Sequence, residues 1–129
     1  CIQKDADAFA PLARCYSLPK DTPGRDQIME GCLQQAASVP LNIMRLAAQA
    51  IEIQREFAIV GSPLVISDAA TGVALCRASL MGALVNVKVN TKLMKDRCYA
   101  DMINAEAEAL AEQYCKLSEE IFYNILERF

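Results

Sequence analysis

The sequence predicts an all-α protein, a bundle of about five helices ending in a long C-terminal helix. Three observations carry this. Apolar residues recur at spacings of three and four along most of the chain. Proline and glycine cluster in only a few places. The one segment that alternates like a strand, Val85-Asn86-Val87-Lys88-Val89-Asn90, has no second strand-like segment to pair with.

The first helix is expected from Asp5 to Ser17, with Phe9, Leu12, Ala13 and Tyr16 on its apolar face. Leu18-Pro19-Lys20-Asp21-Thr22-Pro23-Gly24 breaks it. Thr22 is placed to cap the next helix, with Pro23 at its first position. That helix runs to about Ser38. Pro40 then either starts a new helix capped by Ser38 or kinks a continuous one. From Leu41 to Val60, Ile43, Leu46, Ala47, Ala50, Ile53, Phe57 and Val60 form a stripe, and Gly61 followed by Pro63 marks the C-terminus.

The next helix is expected to begin at Ser67, a natural N-cap, with Asp68 suited to the positive end of the helix dipole. It is charge-poor: Asp68 and Arg77 are its only formal charges before Lys88. Such helices are usually buried. Small residues at Ala70, Ala74, Ala78 and Gly82 would let another helix approach closely, in the core or across a dimer. Val85 to Asn90 reads as its frayed end and Thr91 to Lys95 as a loop. In the last element Ile103, Ala107, Leu110, Tyr114, Leu117, Ile121 and Ile125 keep one apolar stripe. About thirty residues of helix span roughly 45 Å, a length that calls for a bundle or a partner subunit.

Composition bounds the function. The chain has 129 residues, 53% apolar and 22% charged, with a net charge of −3 and a pI near 4.9. That is one globular domain. No run of lysine or arginine exceeds two residues, so no duplex-binding patch is visible and no nucleic-acid partner is expected. No eighteen-residue window is free of charge, so no membrane span is expected. Lys4, Asp5 and Asp7 exclude a secretory signal at the start, and Cys1 is not an initiator methionine, so the sequence reads as a fragment or a processed product. The six cysteines lie at least fourteen residues apart with no CxxC, which disfavours a zinc site and fits reduced cytosolic thiols. There is no histidine. A Ser-His-Asp triad, a Cys-His pair and most catalytic zinc sites are therefore excluded within these residues, and proton transfer falls to carboxylates, lysine, tyrosine or cysteine.

Three polar groups are candidates for chemistry. Asp5 and Asp7, two positions apart on a helix, point to opposite sides, so they are no paired-carboxylate site. Asp5 shares a face with Phe9; burial of that face would raise the Asp5 pKa and make it a usable general base, whereas an exposed Asp5 is an ordinary surface acid. Ser67 and Asp68 are explained by capping alone. Asn86 and Asn90, one turn apart, are equally explained as the end of a helix. Asp68 and Asn86 lie on the same side of one helix but about 27 Å apart along it, too far to flank one small reacting group. They can serve opposite ends of an elongated ligand, or different sites in an oligomer. The five glycines are isolated, so GxGxxG and P-loop readings fail.

The order of the pieces is more specific than any one of them. Asp5-Ala6-Asp7-Ala8-Phe9, Leu18-Pro19-Lys20-Asp21-Thr22-Pro23, Ala37-Ser38-Val39-Pro40-Leu41, Ser67-Asp68 and Asn86-Val87-Lys88-Val89-Asn90, in this order and spacing, resemble the cyclodeaminase/cyclohydrolase family of folate one-carbon metabolism, across essentially the whole chain. The resemblance implies an all-helical cytoplasmic domain over residues 1–129 that forms homodimers, with a folate site between helices near the dimer interface. It implies one of two reactions: hydrolysis of methenyltetrahydrofolate to formyltetrahydrofolate, or closure of formiminotetrahydrofolate with release of ammonia. Neither needs a metal or redox cofactor; the tetrahydrofolate is the substrate. Asp5 matches the family's catalytic candidate, and Ser67, Asp68, Asn86 and Asn90 match positions that look like substrate-binding ones. The family's proline- and glycine-rich N-terminal region has no counterpart before Cys1, and Ser62-Pro63-Leu64 stands where the family often has an asparagine-rich loop. A non-catalytic helical dimer that binds folate or a protein partner is the competing reading.

Overall fold

A computed structural model describes residues 2–129 as four helices, with no strand among them. They are α1 (Ile2–Tyr16), α2 (Arg25–Val60), α3 (Pro63–Leu93) and α4 (Arg97–Leu126). The all-α class and the 30-residue C-terminal helix agree with the sequence, and the helix count is four rather than five. The difference is Pro40: α2 runs through it unbroken for 36 residues. Flanking alanine, leucine and methionine side chains buried on both sides of Pro40 hold the helix together where its own hydrogen bonding is interrupted.

Other boundaries shift for local reasons. Gly24, in the left-handed region at φ 69°, stands at the start of α2, where a cap by Thr22 was expected. Thr22 instead closes turns, taking a bond from Arg25 N–H (3.2 Å) and giving its own N–H to Pro19 (3.1 Å). Ser62 precedes Pro63 at the start of α3, so Ser67 and Asp68 lie inside the helix and are not its caps. The strand-like Val85–Asn90 stretch is helical, and α3 extends over Thr91–Leu93. Thr91 is buried and bonds Asn104 of α4 (2.7 Å), while the Arg97 guanidinium bonds the carbonyls of Thr91 (2.9 Å) and Met94 (3.3 Å). A cation on the last carbonyls of a helix satisfies acceptors that would otherwise fray it. Asp96 then caps α4, accepting from Tyr99 N–H at 3.0 Å.

α3 lies against both α2 and α4, α2 also meets α4, and α1 packs on α2. The main core joins Leu41, Met44 and Ile51 of α2 to Val73, Leu80 and Val87 of α3 and to Ile103, Ala107, Ile121 and Ile125 of α4. A second cluster seats Leu12 of α1 with Leu33, Ala36, Ala37, Met94 and Ala100. The α4 stripe is as expected. The expected stripes of α1 and α2 hold only in part: Leu12 and Ala47 are buried and Ile43 packs on the core, but Phe9 is 57% exposed and Leu46, Ile53, Phe57 and Val60 face outward, with Ala8, Cys15, Met44, Ala48 and Ile51 buried instead. Both helices carry two apolar faces, and periodicity alone cannot tell which one meets the core.

The five described cysteines are free thiols; Cys1 lies outside the described residues. Cys15 of α1 and Cys32 of α2 meet sulfur to sulfur at 2.9 Å, and that hydrogen bond together with burial pushes the Cys32 thiol up to about 11.

Candidate functional site

α3, expected to be buried, is buried on one face only, at Val73, Leu80, Ala83 and Val87, and open on the other. Leu75 (67% exposed), Val85 (61%) and Val89 (56%) form an open apolar face, interleaved with the exposed small residues Ala74, Ala78 and Gly82. Among the described residues nothing lies within 4 Å of where a Cβ on Gly82 would stand, so no other helix makes a close approach at that position. By length and composition alone, Val65–Leu93, with a mean hydropathy of 1.4, is long and apolar enough to cross a membrane, a test that the core helix of a soluble protein also passes.

A groove of ≈ 200 Å³ opens between α1 and the C-terminal half of α3, across α2, lined by Asp5, Phe9, Ala36, Pro40, Asn86, Val89 and Asn90. Each helix supplies its part by spacing. Asp5 and Phe9, one turn apart, share the outer face of α1 above buried Ala8 and Leu12. Ala36 and Pro40, again one turn apart, are the buried residues of α2 at the groove. Asn86 and Asn90 follow on α3, with Val89 continuing the open apolar face to the groove's edge.

The structure therefore unites three of the five candidate residues, Asp5, Asn86 and Asn90, and separates them from the other two. Asp5 is exposed in the single chain, because Phe9 beside it does not enter the core. Asn90 donates its side-chain amide to the carbonyl of Asn86 at 2.9 Å, which ties up donor capacity and leaves its own amide oxygen as an acceptor. With the Asp5 carboxylate, the groove is rich in acceptors and suits a ligand that carries positive charge or N–H groups.

Ser67 and Asp68 lie near the other end of α3. Ser67 is exposed and its carbonyl accepts from the Thr71 hydroxyl at 3.1 Å. Asp68 borders a separate, mainly apolar pocket with Gln54, Phe57, Val65 and Ala69. The Gln54 amide lies over Gly72, where any Cβ would overlap it, and its Oε1 is buried without a hydrogen-bond partner. Gln54, Phe57 and Pro40 were not singled out as site residues from the sequence. A proline that interrupts an otherwise apolar helix was the available signal for Pro40; nothing in the sequence signals Gln54.

Ion pairs tie the helices together around these sites. Arg45 of α2 holds Glu106 of α4 with two bonds of 2.7 and 2.9 Å, which lowers the Glu106 pKa and raises that of Arg45. Lys88 pairs with Glu108, and Arg77 lies 3.7 Å from Glu119. Among the described residues no group of three His, Cys, Asp or Glu side chains is arranged to hold a metal ion.

Comparison with known proteins adds to this geometry. Residues 1–109 match the sequence model of formiminotransferase-cyclodeaminase. The chain is 33% identical over 128 residues to a methenyltetrahydrofolate cyclohydrolase of Methylorubrum extorquens, covering 96% of this chain and 62% of the relative. It is 30% identical over 117 residues to the formimidoyltransferase-cyclodeaminase of Mus musculus, covering 87% of this chain and 21% of that protein. Its fold is similar to that of a formiminotetrahydrofolate cyclodeaminase of Thermotoga maritima, with a TM-score of 0.75 and 26% identity over 95% of this chain and 61% of the other. The chain thus spans less than two thirds of the length of each of these proteins.

Proposed function

The chain belongs to the formiminotransferase-cyclodeaminase family, and from that premise we propose that it processes the one-carbon amidine of a tetrahydrofolate. The reaction is hydrolysis of methenyltetrahydrofolate to formyltetrahydrofolate, or cyclisation of formiminotetrahydrofolate with release of ammonia. One observation supports this above the others: Asp5, Asn86 and Asn90 border a single acceptor-rich groove. An amidinium carbon between two nitrogens spreads positive charge over both, and a carboxylate with amide oxygens stabilises that charge.

The chemistry asks little of the protein. In hydrolysis, water adds to the electrophilic carbon as Asp5 takes its proton; Asp5 then hands that proton to the leaving folate nitrogen while the new hydroxyl releases its own to solvent, and the C–N bond breaks to leave the formyl group. In cyclisation, a folate nitrogen attacks the same carbon, Asp5 accepts its proton, and the proton returns to the departing ammonia. Both steps are general acid–base work at a carbon already activated by its nitrogens, so the proposed mechanism calls on no metal or redox cofactor. Ser67 and Asp68, about 27 Å away along α3, touch no reacting atom at this groove and serve the far end of an elongated substrate or a different site in an oligomer. The five free thiols support a reducing, cytosolic setting.

The open face of α3 belongs, in this proposal, to a second copy of the chain. Small residues permit close helix packing, and Val89 carries the face to the edge of the groove, so a partner seated there would wall the site and exclude water. Lipid is the wrong covering. α2 and α4 flank α3 and carry Arg45, Glu52, Arg55, Glu106, Glu108 and Glu119, which a bilayer deep enough to hold α3 would submerge.

The test is turnover. The chain should bleach the near-ultraviolet absorbance of methenyltetrahydrofolate or release ammonia from formiminotetrahydrofolate, and it should sediment as a dimer. Folate binding without either turnover would leave the non-catalytic reading standing.

A further inference from the structure

Proline is the costliest residue a helix interior can hold, because it lacks the N–H that bonds the carbonyl four residues back and its ring pushes that carbonyl aside. In α2 the residue is Pro40 and the carbonyl is that of Ala36. Both are buried in the helix, and both line the groove that Asp5, Asn86 and Asn90 border. A buried backbone carbonyl deprived of its partner needs another donor.

We propose that Pro40 frees the Ala36 carbonyl to accept a hydrogen bond from the N–H of the protonated formimino group of formiminotetrahydrofolate, the one of the two substrates whose one-carbon unit carries an N–H. Ala36 is the binding group and Pro40 the positioning residue. This rests on the function proposed above and deepens it: the site becomes a three-sided acceptor cradle, with a carboxylate from α1, a backbone carbonyl from α2 and side-chain amide oxygens from α3. A backbone acceptor suits this task. It cannot be protonated or rotated away, and it carries partial negative charge where the substrate carries positive charge. A helix that only needed to span this distance would have no use for the interruption.

The experiment compares the chain with Pro40→Ala, which restores the N–H donor and closes the helix over Ala36. The expected result is a melting temperature at or above that of the unsubstituted chain together with a loss of about 10- to 100-fold in kcat/KM for formiminotetrahydrofolate, the size of one hydrogen bond to a charged group. A purely structural proline gives a different pattern, with stability and activity falling together. Lactic acid in place of residue 40, which again lacks the N–H, should return most of the activity. Unchanged kcat/KM in Pro40→Ala, or no recovery with lactic acid, overturns the proposal. A second readout does not depend on turnover: formamidinium chloride titrated into the ¹⁵N-labelled chain should shift the side-chain amide signals of Asn86 and Asn90, and less so in Pro40→Ala. A response equal in both chains, or absent from both, also overturns it. Absence of folate turnover with a formamidinium response that depends on Pro40 would sink the proposed reaction and keep the carbonyl site.

Discussion

The two ends of α3 present the same kinds of residue, an acid or amides on a helix surface, yet they make different places. At the C-terminal end, Asn86 and Asn90 meet Asp5 and Pro40 from two other helices. Near the N-terminal end, Asp68 meets Phe57, Val65 and Ala69 and an unpaired Gln54 oxygen. The first faces a carboxylate from α1 with two amides from α3 across Ala36 and Pro40 of α2, which suits the proposed chemistry at a single carbon. The second is one acid on the rim of an apolar hollow. A polar residue on a helix gains its role from what neighbouring helices bring to it.

Exchanging the acids should break or keep this contrast most clearly. Asp5→Asn should lower kcat by about 10²–10⁴-fold, the usual contribution of a general acid–base. Asp68→Asn should leave kcat alone and raise KM by about tenfold at most, as expected of a contact made equally in ground and transition states. Steady-state kinetics on methenyltetrahydrofolate separates the two, and a kcat loss of equal size for both acids would erase the distinction.

The glycines of α3 give the next largest difference, with opposite signs. Gly72→Ala places a Cβ into the amide of Gln54, a flexible side chain that must swing aside, and after the helix-propensity gain should cost no more than about 1 kcal/mol in urea unfolding. Gly82→Ala meets nothing within 4 Å and should stabilise the single chain by about 0.5–1 kcal/mol through helix propensity, while weakening the dimer if the open face is the contact. Destabilisation by both to the same extent in the monomer would show that Gly82 is packed after all.

The smallest effect is a baseline for both ends. Arg45→Ala removes the bonds to Glu106, a half-exposed pair for which about 0.5 kcal/mol is expected. The Glu106 pKa is lowered in the folded chain by the Arg45 hydrogen bonds, so the contribution is present above its ordinary value of 4.5 and is lost as pH falls through the lowered one. The two proteins should differ slightly at pH 7 and coincide well below pH 4. A larger gap at low pH would mean that Arg45 acts through packing.

Helix existence was legible from spacing, as were the stripe of α4 and the family. The burial of α1, α2 and α3 was not. Ile53, Phe57 and Val60 look like core in sequence and face outward in the fold, because α2 has an apolar face on each side. The same holds for α3, whose lack of charge reads as burial in its own chain. Site membership was legible only in part. The 27 Å between Asp68 and Asn86 follows from helix rise alone, but the meeting of Asp5 with Asn86 depends on α1 folding back over Pro40, a long-range event that no local pattern encodes.

Through α2, α1 is joined to a bundle whose main core contains none of its residues. Helices held this way open before the global transition, as the lowest rung of native-state hydrogen exchange. The proposed catalytic acid sits on that rung. Heating should therefore abolish the proposed activity before it melts the bundle, and slow exchange in α3 and α4 would persist after that activity is lost. Whatever pins α1, whether a partner copy, bound folate or added sequence ahead of it, would raise the temperature of activity without changing the fold.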